Sequence, residues 1–408
     1  MKYSISLLFM VIIMLSCSKQ IDPDDNMDSV KFECADNQKV CDLSYDNASF
    51  GFDILKKLHN SDEDNNLFIS PFSISSALSM AMNGAKNETL EQMMNSLQYS
   101  GWNLDSLNAA YRDYLVLLPL LDNNVVMKNA NSIWYKNGYP VLEDYLTTCN
   151  DYFKSEIESR DFSDEATLDE INQWVEDNTE GKIKDILDMI PGDAVMYLIN
   201  AIYFKGTWKY KFDEKNTYKG DFTLQNGGKV SVDMMNEEEL PVSYYNDEMI
   251  SAIDIPYGDS IYSITILLPN SGYNIDNLID GIDIDYWNEI TSGFYHVTMN
   301  VTVPKFKIEY KNEISKILSD LGMPIAFTSM ADFSGINGFG NLFISRVIHQ
   351  SFVEVDEAGT EAAAATVVEV LYNSIQDNYF VADKPFVFVI KENKTNSILF
   401  IGKLMDPS

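Results

Sequence analysis

The chain has 408 residues, and its 46% of hydrophobic residues is enough for a substantial core. It carries 29 basic and 62 acidic side chains, a formal net charge of -33, which argues against nucleic acid as a partner because binding phosphate requires clustered cations. No Pro/Gly/Ser-rich linker interrupts the main body, and apolar runs alternate between helical and strand spacing. These features predict a single domain of mixed α and β structure.

The N-terminus has the features of an export signal. Lys2 precedes an apolar run from Ile5 to Leu15, too short to span a membrane as a mature helix, and Met14-Leu15-Ser16-Cys17 resembles a bacterial lipoprotein box. We therefore expect residues 1–16 to be removed, Cys17 to carry lipid, and residues 17–44 to form an acidic tether. An ordinary secretory signal cut elsewhere is the alternative. Both interpretations predict export, either to the outer membrane or cell surface or as a secreted protein.

Export makes the spacing of the remaining cysteines informative. Cys34 and Cys41 are close enough to close a small loop under oxidising conditions, so we predict a disulfide between them. Cys149 would then be unpaired. Its helix-like surroundings favour a buried structural thiol over a nucleophile.

We find no constellation of residues that indicates catalysis. The only histidines are His59, His296 and His349, and the sequence contains no GxSxG elbow, HExxH, CxxC pair or Walker loop. GFGN at residues 338–341 lacks the third glycine and the strand context of a dinucleotide fingerprint. Scattered carboxylates in so acidic a chain are typical of a solvated surface. The sequence thus predicts neither an enzyme nor a metal or cofactor site.

The segment EAGTEAAAATVVEVLYNS, from Glu357 to Ser374, is conformationally ambivalent. Four consecutive alanines favour a helix. In a strand, however, every second residue lies on the same face, and one such face of this segment is suited to burial in a sheet. That face is small or β-branched throughout and consists of Thr360, Ala362, Ala364, Thr366, Val368 and Val370. Glu361 and Glu369 lie on the other face.

Five blocks of sequence resemble the serpin family, in the family's order. VEVDEAGTEAAAAT (353–366) resembles the hinge of its reactive-centre loop, and FVADKPFVFVI (380–390) its C-terminal signature. The other three blocks are Asn66 to Met93, Leu198 to Phe212 and Val301 to Phe327. The resemblance covers roughly Tyr45 to Pro407.

The resemblance implies an α+β serpin fold in one domain, residues 45–408. We expect three β-sheets, including a large central sheet A, about nine helices, and an exposed reactive-centre loop at about 357–380. The hinge would comprise Glu357, Gly359, Thr360, Glu361, Ala362, Ala363, Ala364, Ala365 and Thr366. In the uncleaved protein this loop is expected to stay outside the sheet.

The resemblance also implies two polar sites beneath the central sheet. His349 matches a family histidine of the shutter, a hydrogen-bonded cluster that controls whether two central strands part, with partners Ser70, Ser73 and Asn200. Trp208 matches the family tryptophan under the top of the sheet, where insertion begins. A plain core aromatic is the alternative for Trp208.

The function implied is inhibition of extracellular serine proteases by a suicide-substrate mechanism, in which a covalently bound protease is trapped when the cut loop enters sheet A. Family spacing puts the reactive bond between Asn373 and Ser374, with cuts after Leu371 or Tyr372 as alternatives. Residues 367–378 contain no Arg or Lys. Targets resembling elastase, chymotrypsin or subtilisin are therefore favoured over trypsin-like ones, and papain-like cysteine proteases are a further alternative.

Two other functions stay open on the sequence alone. A serpin-fold protein can be a non-inhibitory binding module, although bulky or charged hinge residues would be expected in that case. A surface lipoprotein that binds glycans is suggested only by the export signal and the 12% of aromatic residues. We expect a monomer whose partners are a protease and, through Cys17, a membrane.

Overall fold

The structure is a computed structural model that describes residues 31–360 and 379–408. These residues form ten α-helices, close to the nine expected, and three short 3₁₀-helices. The α-helices are Gln38–Ser61 (α1), Pro71–Met82 (α2), Asn87–Ser96 (α3), Leu104–Leu117 (α4), Glu143–Phe153 (α5), Glu165–Asn178 (α6), Ile275–Gly281 (α7), Ile284–Gly293 (α8), Ser315–Asp320 (α9) and Ser334–Asn337 (α10). Over the same residues, no helix combines the length and apolar character needed to cross a bilayer.

Fifteen strands lie in the same part of the chain. They are Leu67–Ile69 (β1), Val125–Lys136 (β2), Glu156–Arg160 (β3), Met196–Thr207 (β4), Tyr218–Thr223 (β5), Lys229–Asn246 (β6), Ile250–Pro256 (β7), Tyr262–Pro269 (β8), Tyr295–Pro304 (β9), Phe306–Glu313 (β10), Ile348–Asp356 (β11), Gly359–Thr360 (β12), Tyr379–Val381 (β13), Phe386–Glu392 (β14) and Ser397–Leu404 (β15). Six of them form what we call the central sheet, in the order β10-β11-β12-β4-β2-β3. The other nine form one larger sheet, in the order β1-β15-β14-β8-β7-β6-β9-β13 with β5 added on β6.

The long strand β6 explains why two hydrogen-bonded sheets appear where three were expected. Residues 229–234 of β6 pair with β5, residues 243–246 pair with β7, and β9 pairs with residues 234–237 and 240–244. The register of β6 against β9 shifts between Glu237 and Leu240, which bends the strand. Two of the expected sheets are therefore continuous through β6.

The folded domain begins earlier than the sequence predicted. The boundary at residue 44 was wrong, because α1 starts at Gln38 and buries Val40 and Leu43 in the core. Apolar burial and packing outweigh the acidic composition that suggested a tether throughout. The structure also joins Cys34 to Cys41 in a disulfide, with the Cα atoms 5.8 Å apart.

Helices cover both faces of the central sheet. Side chains of β4 alternate between the faces, as strand geometry requires. Ile202 and Phe204 join the main core, to which α2 contributes. Ile199 and Ala201 point the other way and pack against α6 in a smaller core.

Candidate functional site: the hinge and shutter of the central sheet

The hinge residues Gly359 and Thr360 already form a strand of the central sheet. Thr360 pairs with Val355 of β11 on one side and with Gly206 of β4 on the other. Within residues 31–360 and 379–408, β4 and β11 pair with β12 and not with each other. The expectation that the whole loop stays outside the sheet was therefore wrong for Gly359 and Thr360.

Two glycines allow this close approach of strands. Gly359 has φ +148°, and a Cβ atom there would overlap the carbonyl oxygen of Gly206. A Cβ atom at Gly206 would in turn lie 2.8 Å from the ring of Tyr257. The hinge can enter between β11 and β4 because neither position carries a side chain.

Trp208 lies directly beneath the hinge, at the place where insertion was expected to begin. Its indole Nε1 donates to the carbonyl oxygen of Asp356 at 2.8 Å, and its backbone N–H donates to that of Ala358 at 3.0 Å. The indole stacks on Tyr257 with 4.5 Å between ring centroids. The Tyr257 hydroxyl lies 2.6 Å from Oγ1 of Thr360, so both rings bind backbone or side chain of the hinge.

Glu357 fixes the base of the hinge through its carboxylate. One oxygen lies 2.7 Å from Nζ of Lys305, and the other accepts a 2.7 Å hydrogen bond from the hydroxyl of Thr217. Burial alone would raise the pKa of Glu357, but the bonds from Lys305 and Thr217 outweigh it and lower the pKa. The carboxylate is therefore ionised and anchored at neutral pH.

The structure brings together three of the four predicted shutter residues. Nε2 of His349 accepts from the backbone N–H of Ser70 at 3.1 Å, and the Ser70 hydroxyl accepts from the N–H of Ser73 at 3.1 Å. Burial lowers the pKa of His349 to about 4. The imidazole is therefore neutral and has a free electron pair at Nε2 for this bond.

Asn200 does not bond to His349, contrary to the prediction. Its amide nitrogen donates to Asn129 at 2.7 Å and to Asn131 at 2.8 Å, both on the neighbouring strand β2. The Ser76 hydroxyl donates to Asn131 at 3.3 Å. The sequence analysis missed Asn129, Asn131 and Ser76, although two asparagines at alternate positions of a strand were a usable signal. Oδ1 of Asn200 is buried and lacks a hydrogen-bond donor within the described ranges.

A family model described as Serpin (serine protease inhibitor) matches residues 45–407. The chain belongs to the serpin family. It is 35% identical to an uncharacterized serpin-like protein of Methanosarcina acetivorans, across 91% of this chain and 90% of that protein. It is 33% identical to the leukocyte elastase inhibitor of Sus scrofa, across 90% of this chain and 99% of that protein.

A solved structure of a thermophilic serpin, Tengpin, in the native state superposes with a TM-score of 0.81. Its sequence is 33% identical, and the match covers 90% of this chain and 94% of that one. These findings confirm both the family and the predicted α+β serpin fold. From here on, sheet A denotes the six-stranded central sheet, which contains the first hinge strand β12.

Several predicted site residues of this serpin lie outside the described residues. They are the remaining hinge residues Glu361 to Thr366, the reactive bond Asn373–Ser374 with its alternatives Leu371 and Tyr372, and the lipid site Cys17. Cys149 is described and fully buried, and burial raises its pKa to about 12, so its thiol cannot serve as a nucleophile at neutral pH. The described residues contain no cluster of His, Cys, Asp and Glu that could hold a metal ion.

Proposed function

We propose that this serpin inhibits extracellular serine proteases as a suicide substrate. The observation that carries the proposal is the position of β12, where Gly359 and Thr360 already separate β4 from β11. A strand that continued from Thr360 would add to sheet A without first breaking a β4–β11 ladder. The similarity to a protein named leukocyte elastase inhibitor supports the same class of function.

The chemistry is that of an interrupted proteolysis. The serine hydroxyl of the protease attacks the scissile carbonyl, an ester replaces the peptide bond, and the amine of the next residue leaves. The loop's N-terminal side then carries the esterified protease and is free to insert. An inserted strand of about fifteen residues gains ladder hydrogen bonds worth roughly 0.5–1.5 kcal/mol each, plus apolar burial. The gross free-energy gain of insertion is therefore tens of kcal/mol, which exceeds the roughly 5–15 kcal/mol that stabilises a typical protease domain.

The register of β12 supports insertion over a greater length. Continued without a bulge, it would bring Thr366 opposite His349 on β11 and Asn200 on β4. The hydroxyl of a threonine there could donate to the buried Oδ1 of Asn200, which lacks a donor at present. Before insertion, His349 and Asn200 belong to two separate groups of hydrogen bonds, one with Ser70 and Ser73 and one with Asn129 and Asn131. An inserted Thr366 would lie between these two groups.

The alternative cleavage positions and the absence of Arg and Lys from residues 367–378 favour proteases with apolar primary pockets, although Asn373 itself suits neither trypsin-like nor strongly hydrophobic pockets. A cut after Leu371 or Tyr372 would suit elastase-like, chymotrypsin-like or subtilisin-like enzymes, and Asn373 is the position implied by family spacing. Papain-like cysteine proteases form an analogous thioester and are a second target class. We further propose that the protein is a monomer held at the cell envelope by lipid on Cys17.

A small protease panel tests this function. The purified protein is incubated with elastase, chymotrypsin, subtilisin, trypsin and papain, and the products are resolved by SDS gel electrophoresis and intact mass. We expect an SDS-resistant complex with at least one apolar-specific enzyme and a released C-terminal peptide whose mass locates the cut. Clean cleavage by every enzyme without a complex would overturn the proposal and favour a non-inhibitory binding protein.

A further inference from the structure

The side chain of Lys403, close to the end of β15, is fully buried. Its Nζ donates to the carbonyl oxygens of Asp62 at 2.7 Å and Glu63 at 2.8 Å, and it lies 2.9 Å from Nδ1 of His59. An ammonium group has three donors, so these three acceptors satisfy it. The bonds thus connect β15 to the last turn of α1 and to the loop that follows it.

The bond from Lys403 fixes the tautomer of His59. A lysine ammonium can only donate, so Nδ1 of His59 must be the acceptor and carry no proton. The proton of the neutral ring is therefore on Nε2, which lies 3.3 Å from Oδ1 of Asp276 on α7. That oxygen is buried and accepts no hydrogen bond from elsewhere among the described residues. The buried imidazole thus lies between a donor on β15 and an acceptor on α7, and it matches both only while it is neutral.

Five carboxylates lie near the two side chains: Asp276 and Asp280 on α7, and Asp62, Glu63 and Asp64 in the loop after α1. Four of them are exposed and the fifth, on Asp276, is partly exposed, so water and salt screen their attraction. Burial and the ammonium of Lys403 outweigh the carboxylates and lower the pKa of His59. Burial likewise lowers the pKa of Lys403. At neutral pH the pair therefore holds one positive charge, on the lysine.

A proton on Nδ1 of His59 would break this arrangement. Two donors would then face each other across 2.9 Å in a buried site, where like charges repel strongly. Lys403 would have to leave its site, and the carbonyl oxygens of Asp62 and Glu63 would lose their donor. The end of α1 would therefore lose these bonds to β15.

The same loop has a second attachment to β15 that does not depend on protonation. Oδ1 of Asn66 accepts from the backbone N–H groups of Met405 at 2.7 Å and Asp406 at 3.0 Å, and its Nδ2 donates to the carbonyl oxygen of Asp406 at 2.6 Å. An amide and backbone groups do not titrate between pH 5 and pH 7. Acid should therefore loosen the loop at its α1 end and leave it attached at Asn66.

We propose that His59, Lys403 and Asp276 form an acid-operated latch that holds the end of α1 on β15 at neutral pH. Opening takes up one proton from water at Nδ1 of His59, expels the ammonium of Lys403 and frees the carbonyl oxygens of residues 62–63. The latch goes beyond the proposed function, since none of its three residues belongs to sheet A or to the reactive-centre loop. It makes the end of α1 open more often as the pH falls below about 6.5.

NMR of protein labelled with nitrogen-15 histidine tests the tautomer and the coupling of the two charges. The chain has three histidines, and the signals of His59 are those that vanish in His59→Asn. Near pH 7 we expect the proton on Nε2, and on acidification a titration midpoint below that of an unperturbed histidine. In Lys403→Met the midpoint should move up by about one pH unit or more, because a neighbouring cation is removed.

Lys391→Met is the matched control for that variant. Lys391 is a buried lysine of the adjacent strand β14 and bonds to Asn393, so its loss should leave the midpoint of His59 unchanged. A proton on Nδ1 near pH 7 would overturn the latch. An unchanged midpoint in Lys403→Met, or an equal rise in Lys391→Met, would overturn it as well.

Hydrogen exchange measures the opening itself and needs no change at Lys403. His59→Asn keeps an acceptor oxygen near the position of Nδ1 but takes up no proton. The reporters are the amides of the last turn of α1 and of Asp62, whose N–H donates into that turn. From pH 7 to pH 5, we expect their protection, corrected for the intrinsic exchange rate, to fall about ten- to thirtyfold more in the native protein than in His59→Asn.

The amide of Met405, which Asn66 holds, is the internal control and should show the same pH dependence in both proteins. If the reporters in α1 lose protection equally in both, the carboxylates account for the acid sensitivity and the latch fails. Trapping of a protease near pH 7 depends on none of these measurements, so a failure of the latch and a failure of the proposed function are distinguishable.

Discussion

The neutral imidazole of His349 makes the central sheet sensitive to acid. Burial lowers its pKa from 6.5 to about 4. Between these pH values the imidazole is protonated in the unfolded chain and neutral in the native protein. The contribution of His349 to the free energy of unfolding is therefore fully present above pH 6.5, and it is lost progressively as the pH falls from 6.5 to about 4. The pKa difference between the two states corresponds to about 3 kcal/mol in the free energy of unfolding.

Urea unfolding near pH 7 and near pH 5 tests this prediction. Many carboxylates also titrate toward acid, so the informative quantity is the difference between the native protein and His349→Gln. From pH 7 to pH 5, we expect the free energy of unfolding to fall by about 2 kcal/mol more in the native protein than in His349→Gln. The same loss in both proteins would show that His349 is not the group responsible.

Among the elements, the short strand β12 depends on the absence of a side chain at Gly359. An alanine there would need a backbone conformation that L residues rarely adopt, and its Cβ would overlap the carbonyl of Gly206. Gly359→Ala should therefore expel the hinge from between β11 and β4, lower the free energy of unfolding by at least about 1–3 kcal/mol and change Trp208 fluorescence. Thermal melting and fluorescence spectra measure both effects. Gly192→Ala is the control, because nothing lies within 4 Å of its added Cβ, and an equal change there would refute the prediction.

The elements also show how far a sequence can be interpreted. The sequence predicted the hinge that begins at Glu357, the contact of His349 with Ser70 and the position of Trp208 under the top of the sheet. Short sequence motifs carry all three features. The partners of Asn200 were not, since Asn129 and Asn131 are about 70 residues distant in the chain and become neighbours only through the β2–β4 register.

Two features that the sequence did not reveal have a similar origin. The start of α1 was missed because Asn37 supplies no side-chain cap and the helix is stabilised instead by burial of Val40 and Leu43. The continuity of two sheets through β6 depends on the shift after Glu237, and charged residues at a bend give no strand signal. Tertiary contacts decided both features.

At the scale of the whole molecule, the central sheet is the element that insertion would complete. A strand continuing from Thr360 would join β11 to β4 along their length, so the cleaved protein should be far more stable than the intact one. Ala364 would then lie opposite Ser351 and Ile202, on the face packed toward the main core. An arginine at that position would bury a charge without a partner, at a cost of several kcal/mol.

Calorimetry before and after loop cleavage tests the consequence. The native protein should melt at a much higher temperature once cut, whereas cut Ala364→Arg should gain little and should be cleaved by target proteases without trapping them. Glu361→Arg is the matched control, because the native residue there is already charged and would face outward beside Glu354 and Lys205. It should keep the gain in stability. If cut Ala364→Arg gained as much as the native protein, the inserting strand would have to follow another register or another path, since an arginine cannot occupy the inward face that the β12 pairing defines.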